Sequence, residues 1–339
     1  MKFQPSTEFP YISKEKWLEH LASSLKNGTL QDLYPQIDGR PYSPFVHYED
    51  VRGSRYPDLL HMPTSIIAGL HFDSMGIEPL HQALRHGVQS LSLSQEGLIA
   101  IQSELRKVAH ELPQPFILDL KGGNVDHIDV VNEAIAELPV VVHANLPLDA
   151  SSVPHVASVF SSKAYPYTYV LDCRRNAIEA LAKFLYRLSH WGLAVESEEE
   201  FPIVIEVIPH VHVLYQIALI RAMRWLIAQW KVDTQRALRL EWKAYIPATK
   251  EEDPHLQLIE LSWRVFAVAV SGIAHITAVP KASNLNFHLA AAHIVHLLQY
   301  ESRILEYPDV GRGSYWIEST SRTIAQEAWQ VFLDQWHRG

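Results

Sequence analysis

From residue 65 onward, short apolar segments alternate with longer segments of helical periodicity. The apolar segments predict eight strands, at 65–72, 89–94, 115–121, 140–146, 167–173, 203–210, 238–245 and 273–279. Between them, apolar residues recur three and four positions apart, as Leu98, Ile101 and Leu105 do, which is the spacing of one helix face. Helices are predicted at 77–86, 96–112, 125–138, 152–163, 175–191, 215–231, 254–271, 287–302 and 321–338.

This alternation predicts an α/β fold with a parallel sheet. Eight strands joined by right-handed helical crossovers favour a closed (β/α)8 TIM barrel, and a doubly wound open sheet is the alternative. We assign residues 63–339 to the barrel, with the last helix at its C-terminus, and residues 1–62 to an N-terminal helix and extended arm.

The N-terminal arm has a pattern of its own. Residues 13–25 predict a short amphipathic helix with Ser13 as its cap. Residues 34–57 are rich in Pro, Tyr and Gly and predict an extended segment. Aromatic side chains at this density need a surface to pack on, either this barrel or a partner chain. We expect the arm to contact a partner.

The strands carry polar residues on the face that would line the barrel lumen, where branched aliphatic residues are usual. One interpretation is a set of ion pairs that fills the lumen, since unpaired buried charges are costly. The other is a ligand site at the C-terminal mouth, formed by the residues late in their strands: Lys121, Asn145, Arg174, His210 and Tyr245. The full candidate set is His71, Asp119, Lys121, His143, Asn145, Arg174, Glu206, His210, Glu241, Lys243, Tyr245 and His275.

Composition narrows the classes of partner. The chain has 339 residues and a formal net charge of -9, which disfavours nucleic acid and anionic membranes. Its one cysteine allows no intrachain disulfide and no cysteine-rich metal site. The N-terminus lacks the apolar core of a secretory signal, and no apolar run has the length of a membrane span. We expect a cytoplasmic protein.

The short motifs of the sequence give little indication of a metal or phosphate site. His210 and His212 form a pair of the kind that binds metal in some barrel hydrolases, with His71 and His143 as further ligands. A convincing Asp late in the eighth strand is missing, so no metal is expected. The glycines of residues 121–124 favour a tight turn over a phosphate site. Asp253 and Pro254 are typical of a helix start.

The C-terminal region resembles the methylmalonyl-CoA mutase family. Segment 301–329 is similar to the family's closing turn and helix, with matches at Glu301, Ser302, Gly311, Gly313, Ser314, Tyr315, Glu318, Ala325, Ala328 and Trp329. Segments 217–226 and 251–264 and the N-terminal arm are also similar to family motifs. The resemblance spans nearly the whole chain and implies the barrel fold.

The departures from the family pattern point to its small, non-catalytic subunits. Catalytic chains carry a G-Y-H at the end of the fifth strand, where this chain has Asp172, Cys173 and Arg174. In catalytic members coenzyme A threads the barrel, and the charged lumen residues leave little room for it. Those members also continue into a cobalamin-binding domain, and none is expected here. The resemblance implies no catalytic residues and no cofactor in this chain.

The resemblance also implies a partner. A catalytic mutase subunit would bind adenosylcobalamin, interconvert methylmalonyl-CoA and succinyl-CoA, and form a heterodimer with this chain; a homodimer is the alternative. Two other functions remain open. The chain could be a stand-alone TIM-barrel enzyme that uses the polar mouth, with a metal at His210 and His212. It could also be a barrel that binds an acyl-CoA without chemistry.

Overall fold

A computed structural model describes most of the chain. The described residues are 11–26, 28–51, 63–71, 77–113, 115–121, 133–135, 138–144, 164–165, 167–194, 201–234, 238–249, 253–281, 284–307 and 309–338. The predicted helix at 152–163 lies outside them, as do most of the predicted helix at 125–138 and residues 122–124. The predicted boundary between residues 62 and 63 stays a prediction.

Eleven strand segments are present in the described residues. The first two, β1 and β2, form an antiparallel pair in the arm. The others, β3 to β11, form one parallel sheet. In chain order, β1 to β11 are Gln36–Ile37, Arg40–Pro41, Ile67–His71, Ser90–Ser94, Phe116–Lys121, Val140–Ala144, Ala164–Tyr165, Tyr167–Asp172, Phe201–Ile208, Leu238–Pro247 and His275–Val279.

The sheet is closed into a (β/α)8 barrel, as predicted. Its hydrogen-bonded order runs β7, β6, β5, β4, β3, β11, β10, β9, β8. Segment β7 pairs with β6, and β8 pairs with β9, while only residue 166 separates β7 from β8 along the chain. The two segments therefore form a single fifth strand that joins both ends of the sheet.

Helices cover the outside of this ring. Those described are α1 to α9: Lys14–Ser24, Tyr48–Val51, Ile77–Arg85, Gln95–Lys107, Ala177–Ala194, Val213–Thr234, Pro254–Val270, Leu285–His296 and Tyr315–Trp336. The largest differences from the predicted helix ends are in α4, which stops at Lys107 before a separate 3-10 turn, and in α9, which starts at Tyr315. Helix α8 continues as a π-helical turn to Glu301, close to its predicted end at residue 302.

The hydrophobic core lies between the strands and these helices. Phe116 and Leu118 on β5 and Phe184 on α5 are fully buried there, which confirms the outward apolar face predicted for the strands. Cys173, directly after β8, belongs to the same core and is fully buried. Among the described helices, none combines the length and hydropathy needed to cross a bilayer.

The arm packs on the barrel through its β1–β2 hairpin. Ile37 is buried, and the ring of Tyr42 lies 5.3 Å from that of Tyr215 at the start of α6. Asp38 has a left-handed backbone with φ of 51°, and its Oδ2 accepts a hydrogen bond of 3.0 Å from the backbone N–H of Ala177. Asp38 thus caps the first residue of α5 from a distant part of the chain.

The segment from Gly311 to Ser314 is a structural corner. Gly313 has φ of 83°, a conformation that glycine adopts without strain. Its N–H donates to the carboxylate of Glu318 (2.8 Å), and the Ser314 side chain caps α9 by accepting from the N–H of Ile317 (3.5 Å). This capping explains why α9 begins six residues before the start that its apolar spacing predicts.

Candidate functional site

Four charged side chains meet inside the barrel and form what we call the lumen network: Asp119, Lys121, Glu206 and Lys243. Lys243 pairs with Asp119 and lies 2.9 Å from Glu206, and Lys121 pairs with Glu206 and lies 3.3 Å from Asp119. Each cation therefore contacts both anions. Lys243, Asp119 and Glu206 expose only 3–5% of their side chains, and Lys121 exposes 21%.

Mutual neutralisation favours the charged forms of Asp119 and Lys121 despite their burial. Burial opposes the ionised form of Asp119, but the ammonium groups of Lys243 and Lys121 outweigh it and hold its pKa below the usual range. For Lys121, burial is again the opposing effect. The carboxylates of Asp119 and Glu206 outweigh it and raise the pKa of Lys121. Such a network links opposite strands, and the lowered pKa of Asp119 makes that carboxylate a poor proton acceptor.

Two ring side chains, Tyr245 and His71, lie beside the network near the C-terminal ends of their strands. The Lys121 Nζ lies 4.7 Å from the centre of the Tyr245 ring, a cation–π contact. The His71 ring meets the same tyrosine edge to face at 5.4 Å. His71 Nδ1 also lies 3.1 Å from the Ser92 hydroxyl. The structure thus brings together two of the predicted mouth residues, Lys121 and Tyr245, with the lumen candidate His71 against the same tyrosine ring.

Two buried histidines face each other across the lumen. The rings of His143 on β6 and His275 on β11 are 5.8 Å apart, and His143 Nε2 lies 3.2 Å from the Glu241 carboxylate. Burial lowers the pKa of His275 to about 3, and the positive charges nearby reinforce this effect. Within the described residues, neither ring nitrogen of His275 has a hydrogen-bond partner. His275 is therefore neutral at physiological pH.

His210 is held at the mouth by the arm. Its Nε2 lies 3.5 Å from Asp38 Oδ1, and its Nδ1 accepts a 3.1 Å hydrogen bond from the backbone N–H of His212. The ring stacks on that of His212 at 5.3 Å. Burial lowers the pKa of His210, with Asp38 opposing the shift. Because Nδ1 is already an acceptor and Nε2 faces Asp38, this histidine is poorly placed as a metal ligand.

The remaining candidates lie elsewhere. Arg174 is exposed and forms a two-point ion pair with Asp172, at 2.9 and 2.6 Å, outside the lumen network. Asn145 lies outside the described residues. In the described part of the chain, no three His, Cys, Asp or Glu side chains are close enough together to hold a metal ion. His71 and His143 therefore do not gather around the pair at 210 and 212.

Two features of the site were missed at the level of sequence. Asp38 belongs to the arm, and nothing in its local sequence indicates that it reaches Ala177 and His210. Gly69 on β3 faces the lumen, where a methyl group would lie 2.0 Å from the Thr277 hydroxyl and 3.3 Å from His275 Nε2. A glycine inside a predicted strand is the one signal that could have revealed this close contact.

Comparison with known proteins supports the family resemblance. No family model matches the chain. The chain is similar to a protein of Porphyromonas gingivalis named methylmalonyl-CoA mutase small subunit, with 28% identity over 136 residues. The match covers 35% of this chain and 21% of that protein. This similarity supports a relationship to the methylmalonyl-CoA mutase family, without specifying a member.

Proposed function

We propose that this chain is a non-catalytic barrel subunit that supports an adenosylcobalamin-dependent acyl-CoA mutase. The partner chain would bind the cofactor and interconvert methylmalonyl-CoA and succinyl-CoA. The observation that carries the proposal is the lumen network, which fills the axis of the barrel with four mutually paired charges. The relative named a mutase small subunit supports the choice of reaction.

The lumen network argues against passage of a substrate. The pantetheine arm of a CoA ester is long and largely uncharged, so threading it along the axis would require Lys243 to separate from Asp119 and Lys121 from Glu206. Breaking a buried ion pair costs about 3–5 kcal/mol. The arm could not replace these partners, because its amides carry no net charge. The lumen residues therefore do not fit a threaded CoA ester.

Asp253 and His255 have the D-x-H spacing of a cobalamin-ligand loop but do not fit that role either. Asp253 accepts a 2.8 Å hydrogen bond from the backbone N–H of His255, and Pro254 opens α7. His255 lies in the first turn of this helix, and its ring packs against Phe287 at 5.5 Å. We therefore derive no reaction step through the cofactor in this chain.

The arm supplies a surface suited to a partner. Its inner side chains, Ile37 and Tyr42, are buried on the barrel. Its outer side chains are apolar yet exposed: Tyr11 by 68%, Leu33 by 49% and Tyr48 by 46%. Large exposed apolar side chains are enriched at protein interfaces. We propose that this outer side of the arm contacts the catalytic chain.

The proposal is tested by reconstitution. The purified chain is mixed with a purified large subunit of methylmalonyl-CoA mutase, and complex formation is followed by size-exclusion chromatography. Isomerisation of methylmalonyl-CoA with adenosylcobalamin is measured for each chain alone and for the mixture. We expect a one-to-one complex, activity only where the large subunit is present, and weaker complex formation by the Tyr48→Asp variant.

Other results would support a different function. Isomerisation by this chain alone, or micromolar affinity for a CoA ester in calorimetry, would contradict the proposal. The second of these results would indicate an acyl-CoA-binding barrel. One equivalent of tightly bound zinc, lost in a His210→Ala variant, would favour the metal-dependent enzyme instead.

A further inference from the structure

Two histidine rings from distant parts of the chain meet on the outside of the barrel. His86 directly follows the last residue of α3, and His293 lies near the end of α8. Their ring centres are 4.9 Å apart, and Nδ1 of His86 lies 3.1 Å from Nε2 of His293. Solvent reaches both rings, since His86 is exposed and His293 is half-buried. We call these two residues the histidine pair.

The histidine pair joins the first and the last strand–helix units of the barrel. Strand β3 lies between β11 and β4 in the sheet, so α8 and α3 are neighbouring helices on its outside. The side chain of Gln299, just after α8, accepts a 2.9 Å hydrogen bond from the N–H of Ile66, just before β3. The pair therefore lies at the N-terminal ends of the strands, at the opposite end of the barrel from the mouth.

The backbone around His86 is fixed by the way in which α3 ends. The N–H groups of Gly87 and Val88 donate to carbonyls in the last turn of α3, at 3.0 and 3.1 Å, the Schellman arrangement of a helix C-terminus. Gly87 has φ of 74°, and a methyl group there would lie 3.2 Å from Cε1 of His296. His296 thus packs against the turn that carries His86. Both rings of the pair are positioned by regular secondary structure, which favours a precise site.

The separation of the two nitrogens matches that of two histidine ligands of one metal ion. With metal–nitrogen bonds of about 2.0–2.1 Å, a spacing of 3.1 Å corresponds to an angle of about 100° at the metal. This angle lies between the roughly 90° of square-planar Cu²⁺ and the roughly 109° of tetrahedral Zn²⁺. In the described part of the chain, no third imidazole, thiol or carboxylate completes the set, so water would fill the other positions.

His293 is held in the form that a metal requires. Burial lowers the pKa of His293, and the positive charge of a protonated His86 adds to this effect. A neutral imidazole offers a lone pair to a metal ion, whereas an imidazolium offers none. Without metal, one ring of the pair donates its N–H to the other. Metal binding needs only the transfer of that hydrogen to the second nitrogen of the same ring.

We propose that the histidine pair binds one divalent transition-metal ion, with His86 Nδ1 and His293 Nε2 as its protein ligands, and binds Cu²⁺ more tightly than Ni²⁺ or Zn²⁺. The ion clips α3 to α8 and joins two residues that are 207 positions apart. Because the unfolded chain does not hold these rings together, the ion stabilises the fold. The site lies away from the arm and the mouth, so it does not depend on the proposed mutase function.

Calorimetric titration of the full chain, purified without a histidine tag, with Cu²⁺ and with Zn²⁺ tests the proposal. We expect one equivalent to bind at the pair. His86→Gln and His293→Gln each remove one of two protein ligands and should weaken binding by about tenfold or more. His20→Gln, at an exposed position of α1, and His210→Ala, at the mouth, are the controls and should bind as the wild type does.

Two further measurements identify the ligands and the effect on folding. Electron paramagnetic resonance of the one-equivalent Cu²⁺ complex should show coupling to two imidazole nitrogens in the wild type and to one in His86→Gln. Saturating Zn²⁺ should raise the Tm of the wild type by about 2–5 °C and leave that of His86→Gln unchanged. Circular dichroism without metal checks that both proteins are folded.

Three results would overturn the proposal. The first is a wild-type chain that binds no Cu²⁺ at 100 µM, taken as about the upper limit of a specific site. The second is binding that is equally tight in His86→Gln and His293→Gln. The third is binding that is lost in His296→Gln but kept in His86→Gln, because the ligands would then be two histidines of α8 and not the histidine pair.

Discussion

Lys243 on β10 forms an ion pair with Asp119 on β5, and each side chain is only 3% exposed. These two strands stand opposite each other in the ring, with three strands between them on either side. The pair is therefore a brace across the barrel and not a contact between neighbours. It also anchors the lumen network, since Asp119 contacts Lys121 as well and Lys243 contacts Glu206 as well.

Removing one member of this brace should destabilise the barrel strongly. In Asp119→Ala, Lys243 and Lys121 would share a single carboxylate, that of Glu206, inside the lumen. An unpaired buried charge costs about 3–5 kcal/mol. We expect the free energy of unfolding to fall by that amount in urea denaturation followed by circular dichroism.

Two further variants isolate the cause. Asp172→Ala removes an exposed ion pair with Arg174 and should cost no more than about 1 kcal/mol. The double variant Asp119→Leu with Lys243→Met keeps Lys121 and Glu206 paired, so it should recover most of the lost stability. A single variant as stable as the wild type would show that the brace does not hold the barrel together.

Neutral His275 should make the barrel sensitive to acid. The folded protein holds the pKa of His275 at about 3 through burial, while the unfolded chain binds the proton below about pH 6.5. Because the unfolded state binds more protons between these two values, the free energy of unfolding falls as pH falls through this window. The slope from this residue is at most about 1.4 kcal/mol per pH unit.

The measurement is urea denaturation at several pH values between 6.5 and 4. The His275→Gln variant should show a shallower dependence on pH by about one bound proton. His20→Gln, at an exposed position of α1, is the control and should keep the wild-type slope. Equal slopes in wild type and His275→Gln would mean that this ring titrates alike in both states.

Two glycines should respond to the same substitution with opposite signs. At Gly69, an added methyl group would lie 2.0 Å from the Thr277 hydroxyl and 3.1 Å from its Cβ, so Gly69→Ala should destabilise by about 1–3 kcal/mol. At Gly97, in the first turn of α4, the nearest atom would be at 3.4 Å. Gly97→Ala should stabilise by about 0.5–1 kcal/mol. Thermal unfolding of both variants checks the pair.

The arm should loosen when Asp38 is truncated. Asp38→Ala removes the hydrogen bond to the N–H of Ala177 and the contact with His210. Loss of such a cap costs about 1–2 kcal/mol, a factor of roughly 5–30 in local opening. Chymotryptic cleavage after Tyr42, whose ring is buried against Tyr215, should accelerate correspondingly while the barrel stays resistant. Asp38→Asn keeps an acceptor and a residue that tolerates positive φ, so its cleavage rate should stay near that of the wild type.

The positions of the strands could be predicted from the sequence because their outer faces are continuously apolar. Phe116 and Leu118 show this for β5, whose predicted range of 115–121 differs from the observed Phe116–Lys121 by one residue. The predicted helix ends were less accurate, since helix ends depend on local capping. With Ser314 as its cap, α9 starts six residues before its predicted start. The fifth strand was predicted as one segment but is divided in two at position 166, which is a proline.

The polar character of the lumen was also predictable, but the pairing was not. Alternation along a strand places Asp119 and Lys121 on the inner face. Which cation each anion meets depends on the stagger of strands around the ring, a property of the closed sheet and not of any segment. The contacts of Asp38 with Ala177 and His210 depend likewise on distant parts of the chain.

The buried position of Cys173 makes its thiol a reporter of local opening of the barrel. The thiol is fully buried, and burial raises its pKa, so it cannot react with a disulfide reagent in the closed fold. Because it is the chain's sole cysteine, its rate of labelling in native buffer reports how often the fifth strand is opened to solvent. The opening rate of the fifth strand can thus be measured through the native thiol, without introducing a cysteine or a fluorophore by mutation.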